Sequence, residues 1–138
     1  MRTRGVFFNA LALLLAVIVV LQFTGLYYEI WKQIEWWDTA THFLGGLWVG
    51  GMALWFLAYG KEKRFRTVYL VLISLGGAFI IGFGWEVYEF AVVKALHLVL
   101  PLDYVSDTLT DLVADSAGGL LAAFFFFWFH KKNTNSIS

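Results

Sequence analysis

The stretch TVYLVLISLGGAFIIGFGWEVYEFAVV, Thr67 to Val93, carries no charge before Glu86. An uncharged run of that length matches the roughly 20 helical residues that cross a bilayer. Three further runs of similar length surround it. Thr39 to Tyr59 holds a single Asp, Glu, His, Lys or Arg residue, His42. Gly5 to Leu26 is interrupted only by Asn9, Gln22 and Thr24. Asp107 to Phe129 carries Asp111 and Asp115 in its first half. The spans are therefore predicted at about 5–26, 39–59, 67–93 and 107–129. The expected fold is all-α: one integral membrane domain over residues 1–138, built as a four-transmembrane-helix bundle.

Composition agrees. The chain is 60% hydrophobic, 20% aromatic and 14% charged, whereas a soluble domain is about half apolar. A single proline and thirteen glycines suit long helices in close contact. The absence of cysteine removes disulfides and thiolate metal sites. The basic residues form short scattered clusters, which argues against a nucleic-acid partner.

The first run follows a basic leader and so also fits a cleaved signal peptide. Its length, and the lack of a small-x-small site near Gln22 to Leu26, favour a retained anchor. Residues 26–37 are too polar to cross. Tyr27, Ile30, Trp31, Ile34 and Trp37 recur there at helical spacing. A short helix lying in the membrane interface is expected, its rings at headgroup depth.

Eight of the ten basic residues fall on one side: Arg2 and Arg4, Lys61, Lys63, Arg64 and Arg66, and Lys131 and Lys132. Lys32 and Lys94 fall on the other. The positive-inside rule then places both termini in the cytoplasm of a multi-pass protein of the cell membrane. The acids segregate the opposite way. Only Glu62 is cytoplasmic, and the outer side carries nine acids against two bases, a formal charge of −7. Acids contribute little to topology, so insertion alone does not explain this bias.

The outer acids are spaced for helices. Asp38 and His42 are four apart, Glu86 and Glu89 three apart, and Asp107, Asp111 and Asp115 are successive four-residue steps, with Asp103 just before them. Residues three and four apart share a helix face. Gly45, Gly82 and Gly118 fall near these polar stripes, and small residues let membrane helices approach closely. The three stripes are expected to face a shared interior, with Phe124 to Phe127 turned toward lipid or the first span. A carboxylate at a helix centre costs about 2.5–3.5 kcal/mol on insertion scales. Protonation, a water-filled cavity or a bound cation must offset that.

Carboxylates with one histidine suit a divalent ion, Mg²⁺, Mn²⁺, Ca²⁺ or Zn²⁺. The candidate ligands are Asp38, His42, Glu86, Glu89, Asp107, Asp111 and Asp115. Asp111, Asp115 and Glu86 are also the candidates for any catalytic role, in which a free carboxylate activates water beside the metal. Two alternatives stay open. The acids form a proton site in which one carboxyl holds its proton, or a hydrogen-bonded polar core with Thr39, Thr41, Thr108, Thr110 and Ser116. Trp85 and Tyr88 flank Glu86 as pocket walls or as interfacial anchors. His97 is expected in a loop, and His130 at a cytoplasmic helix end.

These motifs resemble the VanZ-like membrane proteins, and among them the YjdF-like relatives. Asp38-xxx-His42 matches that family's Asp-xxx-His element, Glu86 its Glu-xx-Gln, and Asp111 with Gly118 its Asp-xxx-Asn-xx-Gly. Glu89 stands where the family has Gln, and Asp115 where it has Asn. The family's arginine has no counterpart here. The resemblance covers spans two to four and implies a four-helix unit with a role in the cell envelope. The expected function is accordingly an outer-leaflet acidic pocket that binds a divalent cation or a polar ligand. Metal-assisted chemistry on a lipid or envelope-precursor headgroup belongs to that reading. A transporter or proton-coupled carrier, and a non-catalytic assembly or regulatory subunit, are the rival classes. Homo-oligomerisation is compatible with each.

Overall fold

A computed structural model describes residues 2–30, 33, 34, 36–57, 66–100 and 102–134, without the side chains of residues 2, 3 and 130–134. These residues form four helices, α1 (Arg2–Tyr27), α2 (Trp36–Leu57), α3 (Thr67–Ala95) and α4 (Tyr104–Thr134). Each contains a span long and apolar enough to cross a membrane. The shortest, α2, has 22 residues and rises about 33 Å, against a hydrocarbon core of about 30 Å. The chain is a multi-pass membrane protein.

The predicted spans fall within these helices, apart from residues 58 and 59, which lie outside the described set along with Lys61, Lys63 and Arg64. The segment after α1 is described in part. Glu29 adopts φ 51°, a left-handed conformation that interrupts a right-handed helix. A helical turn follows, Gln33 N–H and Ile34 N–H both donating to Ile30 O, and Trp37 N–H donates to Ile34 O. The rest of the expected interfacial helix falls on Trp31, Lys32 and Glu35, which lie outside the described residues.

Helix ends carry recognisable stops. At the end of α3, His97 adopts φ 54°, Leu98 N–H donates to Val93 O and His97 N–H to Lys94 O. This pair of bonds is the Schellman arrangement, which satisfies carbonyls that a helix end leaves open. Asp107 N–H donates to Asp103 O at the start of α4. Asp103 thus sits where N-capping residues sit, with Asp107 in the first turn. Both carboxylates complement the positive end of the helix dipole.

The helices run up and down, and α2, α3 and α4 form the tight unit. Its two halves differ. At the end holding the start of α1, the core is apolar: Phe7, Leu11, Leu54, Leu70, Ala123 and Phe126 are buried together. Phe7 meets Phe126 and Phe129 edge-on, so Phe126 turns toward the first span as expected, while Phe124 and Phe125 are exposed. Arg4 lies over the Trp55 ring, 4.8 Å from its centroid. The opposite half is packed by small residues. A Cβ on Gly46 would overlap the Asp115 backbone, and one on Gly118 the backbone of Phe43 and Leu47. Ser74 Oγ donates to Gly119 O at 2.7 Å, pinning α3 to α4. Backbone contact at this half brings the polar side chains beyond it within reach of one another.

Candidate functional site

His42 is the hub of that half. It stands one helical turn after Asp38, which occupies the first turn of α2. Its imidazole is 7% exposed. Nδ1 lies 3.0 Å from Asp115 Oδ2 on α4, and Nε2 lies 3.6 Å from Glu86 Oε1 on α3. One ring therefore joins carboxylates from two other helices.

Each carboxylate is positioned by its own surroundings. Asp115 packs where Gly82 offers no side chain; a Cβ there would overlap its carboxyl group. Glu86 is held through its other oxygen, Oε2, which accepts from Thr108 Oγ1 at 2.7 Å. Tyr104 OH also reaches the Glu86 backbone carbonyl, at 3.4 Å. Glu86 Oε1 is thereby left pointing at His42 without a hydrogen-bond partner. Asp111, 2% exposed, likewise has Oδ1 buried and unpartnered. Buried polar atoms in folded proteins are nearly always satisfied. Glu86 Oε1 and Asp111 Oδ1 are thus buried acceptors that no donor among the described residues satisfies. Among the described residues, His42 is the only ion-pair partner of Asp115 and Glu86.

Asp38, His42 and Asp111 also form a cluster in which one ligand atom of each lies within 4.8 Å of the others. Ligands about 2.1 Å from a tetrahedral ion are about 3.4 Å apart, so modest side-chain rotation suffices to close the set around one ion.

The structure thus brings together Asp38, His42, Glu86, Asp111 and Asp115. Glu89, half-buried, instead accepts from Trp85 Nε1 at 2.8 Å. Asp107 and Asp103 are exposed at the start of α4. Of the residues set aside for a polar core, Thr108 bonds Glu86. Thr41 and Thr110 bond backbone carbonyls of their own helices, Asp38 O and Ser106 O. Sequence reasoning missed Tyr104, Ser74, Gly46 and Gly119. The last three were detectable as small residues at four-residue steps in Gly46-xxx-Gly50, Ser74-xxx-Ala78-xxx-Gly82 and Gly119-xxx-Ala123, a spacing that favours close helix packing. His97 lies in the turn after α3, and the side chain of His130 is outside the described set.

No curated protein and no solved structure matches the chain. A family model does, over residues 1–132, and its description is "Predicted membrane protein (DUF2238)". A match over nearly the whole sequence, together with four helices fit to span a bilayer, identifies the chain as a member of the DUF2238 family of predicted membrane proteins.

Proposed function

We propose that this protein binds a divalent cation at the outer end of its helix bundle, through Asp38, His42 and Asp111, with Glu86 and Asp115 as supporting carboxylates. The carrying observation is the facing of His42 and Glu86. If Nδ1–H donates to Asp115, as ligating histidines donate to carboxylates, then Nε2 turns its lone pair toward Glu86 Oε1 across 3.6 Å. Two electron-rich atoms buried at that distance repel unless a positive centre, a proton on Nε2 or a metal cation, lies between them or beside them. A divalent ion supplies it, and gives the bare oxygens of Asp111 and Glu86 a partner at the same time. One imidazole with carboxylates suits Zn²⁺ and Mn²⁺ better than an all-oxygen cage does.

The positive-inside rule supports placing this end outside the cytoplasm. The positions singled out by the VanZ-like resemblance (Asp38, His42, Glu86 and Asp111) are those gathered in the cluster, which supports an envelope role. A cation there would be available to the polar headgroup of a lipid or envelope precursor, and metal-assisted chemistry on it is the enzymatic form of this reading. A carrier would need polar groups continuing inward. Below Asp115, the buried polar side chain among the described residues is Ser74, already bonded to Gly119.

Titration calorimetry and thermal melts of the purified protein with Zn²⁺, Mn²⁺, Mg²⁺ and Ca²⁺, against an EDTA control, test the reading. At least one ion is expected to bind and raise the melting temperature, and Asp111→Asn with His42→Ala to remove both effects. If no ion binds, the cluster is interhelical glue only. In that case Asp111→Asn, which trades a bare carboxylate for a neutral amide, melts at or above the wild-type temperature without any ion effect.

A further inference from the structure

Between the outer halves of α1 and α3 the bundle is open. No Cα atom of one helix comes within 8 Å of the other among the described residues, so α2 forms the floor of a groove facing lipid. Two cavities occupy it and share Gln22 and Trp85 in their walls. The one toward the helix ends, about 490 Å³, is lined by Trp37, Asp38, Tyr88 and Glu89. The deeper one, about 320 Å³, is walled by Ile18, Val49, Ala78 and Ile81 and touches His42 and Asp115 at its polar edge. Two of the three candidate ligands reach the groove, Asp38 lining the first cavity and His42 the second, with Asp111 buried behind them.

We infer that this groove holds one phospholipid of the adjoining leaflet, its phosphate on the cation and an acyl chain in the deeper cavity. The inference rests on the cation reading above. Three features fit that occupant. The polar-to-apolar order along the groove is that of a lipid in its leaflet. From Asp38 to Val49 the groove runs about 16 Å along α2, close to half the roughly 30 Å hydrocarbon thickness. The charge also matches only with the ion bound: carboxylates alone repel a phosphate, whereas a divalent ion held by them presents an open coordination position to an anionic oxygen.

The test uses the full chain in vesicles of phosphatidylethanolamine and phosphatidylglycerol, with a phosphatidylglycerol carrying a photoactivatable group on its acyl chain. With Zn²⁺ or Mn²⁺ present, labelling is expected at Ile18, Val49 and Ile81, falling at least tenfold with EDTA. Ile81→Trp and, from the opposite wall, Ile18→Trp fill the groove and should abolish that labelling while the calorimetric ion affinity stays within twofold of wild type. Leu13→Trp, on the far face of α1 and 68% exposed, should change neither. Labelling spread evenly over exposed faces, or unchanged in both groove variants with ion binding intact, overturns the lipid site and leaves the cation site standing. Groove labelling indifferent to EDTA overturns the phosphate–cation contact. Failure of the wild type to bind any ion overturns the reading beneath both.

Discussion

Thr108 holds one oxygen of Glu86 and leaves the other facing His42. Interhelical hydrogen bonds in membranes average about 0.6 kcal/mol, so Thr108→Val should cost roughly that in stability and no more than about 1.7 kcal/mol. Loss of an outer-shell partner typically weakens metal binding about 10–100-fold. A variant that melts almost normally yet binds the ion at least tenfold more weakly is the expected result, and a proportionate loss of both would make Thr108 merely structural. Gly82 acts by absence. Gly82→Ala must displace the Asp115 carboxyl and break its 3.0 Å contact with His42. The His42 imidazole proton resonances should shift in that variant, whereas in Gly84→Ala, where nothing lies within 4 Å of the added carbon, they should not. The sequence made the acids visible because charge inside an apolar run has no bland explanation. It could not show which oxygen of Glu86 stays bare, since that depends on a threonine 22 residues away.

At the scale of helices, the buried positions of α3 are Leu70, Ser74, Ala78, Gly82 and Glu86, a strict four-residue stripe. Apolar patterning cannot reveal such a face when the opposite side, with Phe79, Ile80 and Phe83 exposed, is equally apolar because it meets lipid. Side-chain size is the informative property. The spans themselves were legible from length and hydropathy. Between Tyr27 and Trp36, helical spacing says nothing about the left-handed Glu29 that separates α1 from the turn after it. Packing by small residues makes a sharp prediction about α2 against α4. Overpacking a tight contact costs about 1–3 kcal/mol, and Gly118→Val, which meets backbone and not a flexible side chain, belongs at or above the top of that range. Gly76→Ala, with open space at its Cβ, should instead be neutral or stabilise by up to about 1 kcal/mol through helix propensity. Denaturation of both variants in one detergent, followed by circular dichroism, checks the contrast. Equal effects would mean that the α2–α4 backbone contact is not what holds that half together.

Across the whole molecule, an apolar half sealed by Phe7, Leu54 and Phe126 is joined to a half whose interior is carboxylate, imidazole and glycine. The first gathers the large buried apolar side chains, and the second spends stability on groups that a lipid-facing protein has no packing reason to keep. Which half faces the cytoplasm decides which leaflet a phospholipid in the α1–α3 groove comes from. The basic residues argue for the apolar half, where Arg4 and Arg66 lie, but most of that argument falls on Lys61, Lys63, Arg64, Lys131 and Lys132, whose side chains are outside the described set. The chain contains no cysteine, so single cysteines report sidedness without background. Ser106→Cys, exposed at the acidic end, and Thr67→Cys, exposed at the other, should behave oppositely in intact cells. A membrane-impermeant maleimide should label Ser106→Cys at once and Thr67→Cys only after permeabilisation. The reverse pattern would turn the acidic pocket toward the cytoplasm. The ion would then be drawn from the cytosol and the lipid from the inner leaflet, and the envelope role would fail even if both binding sites were real.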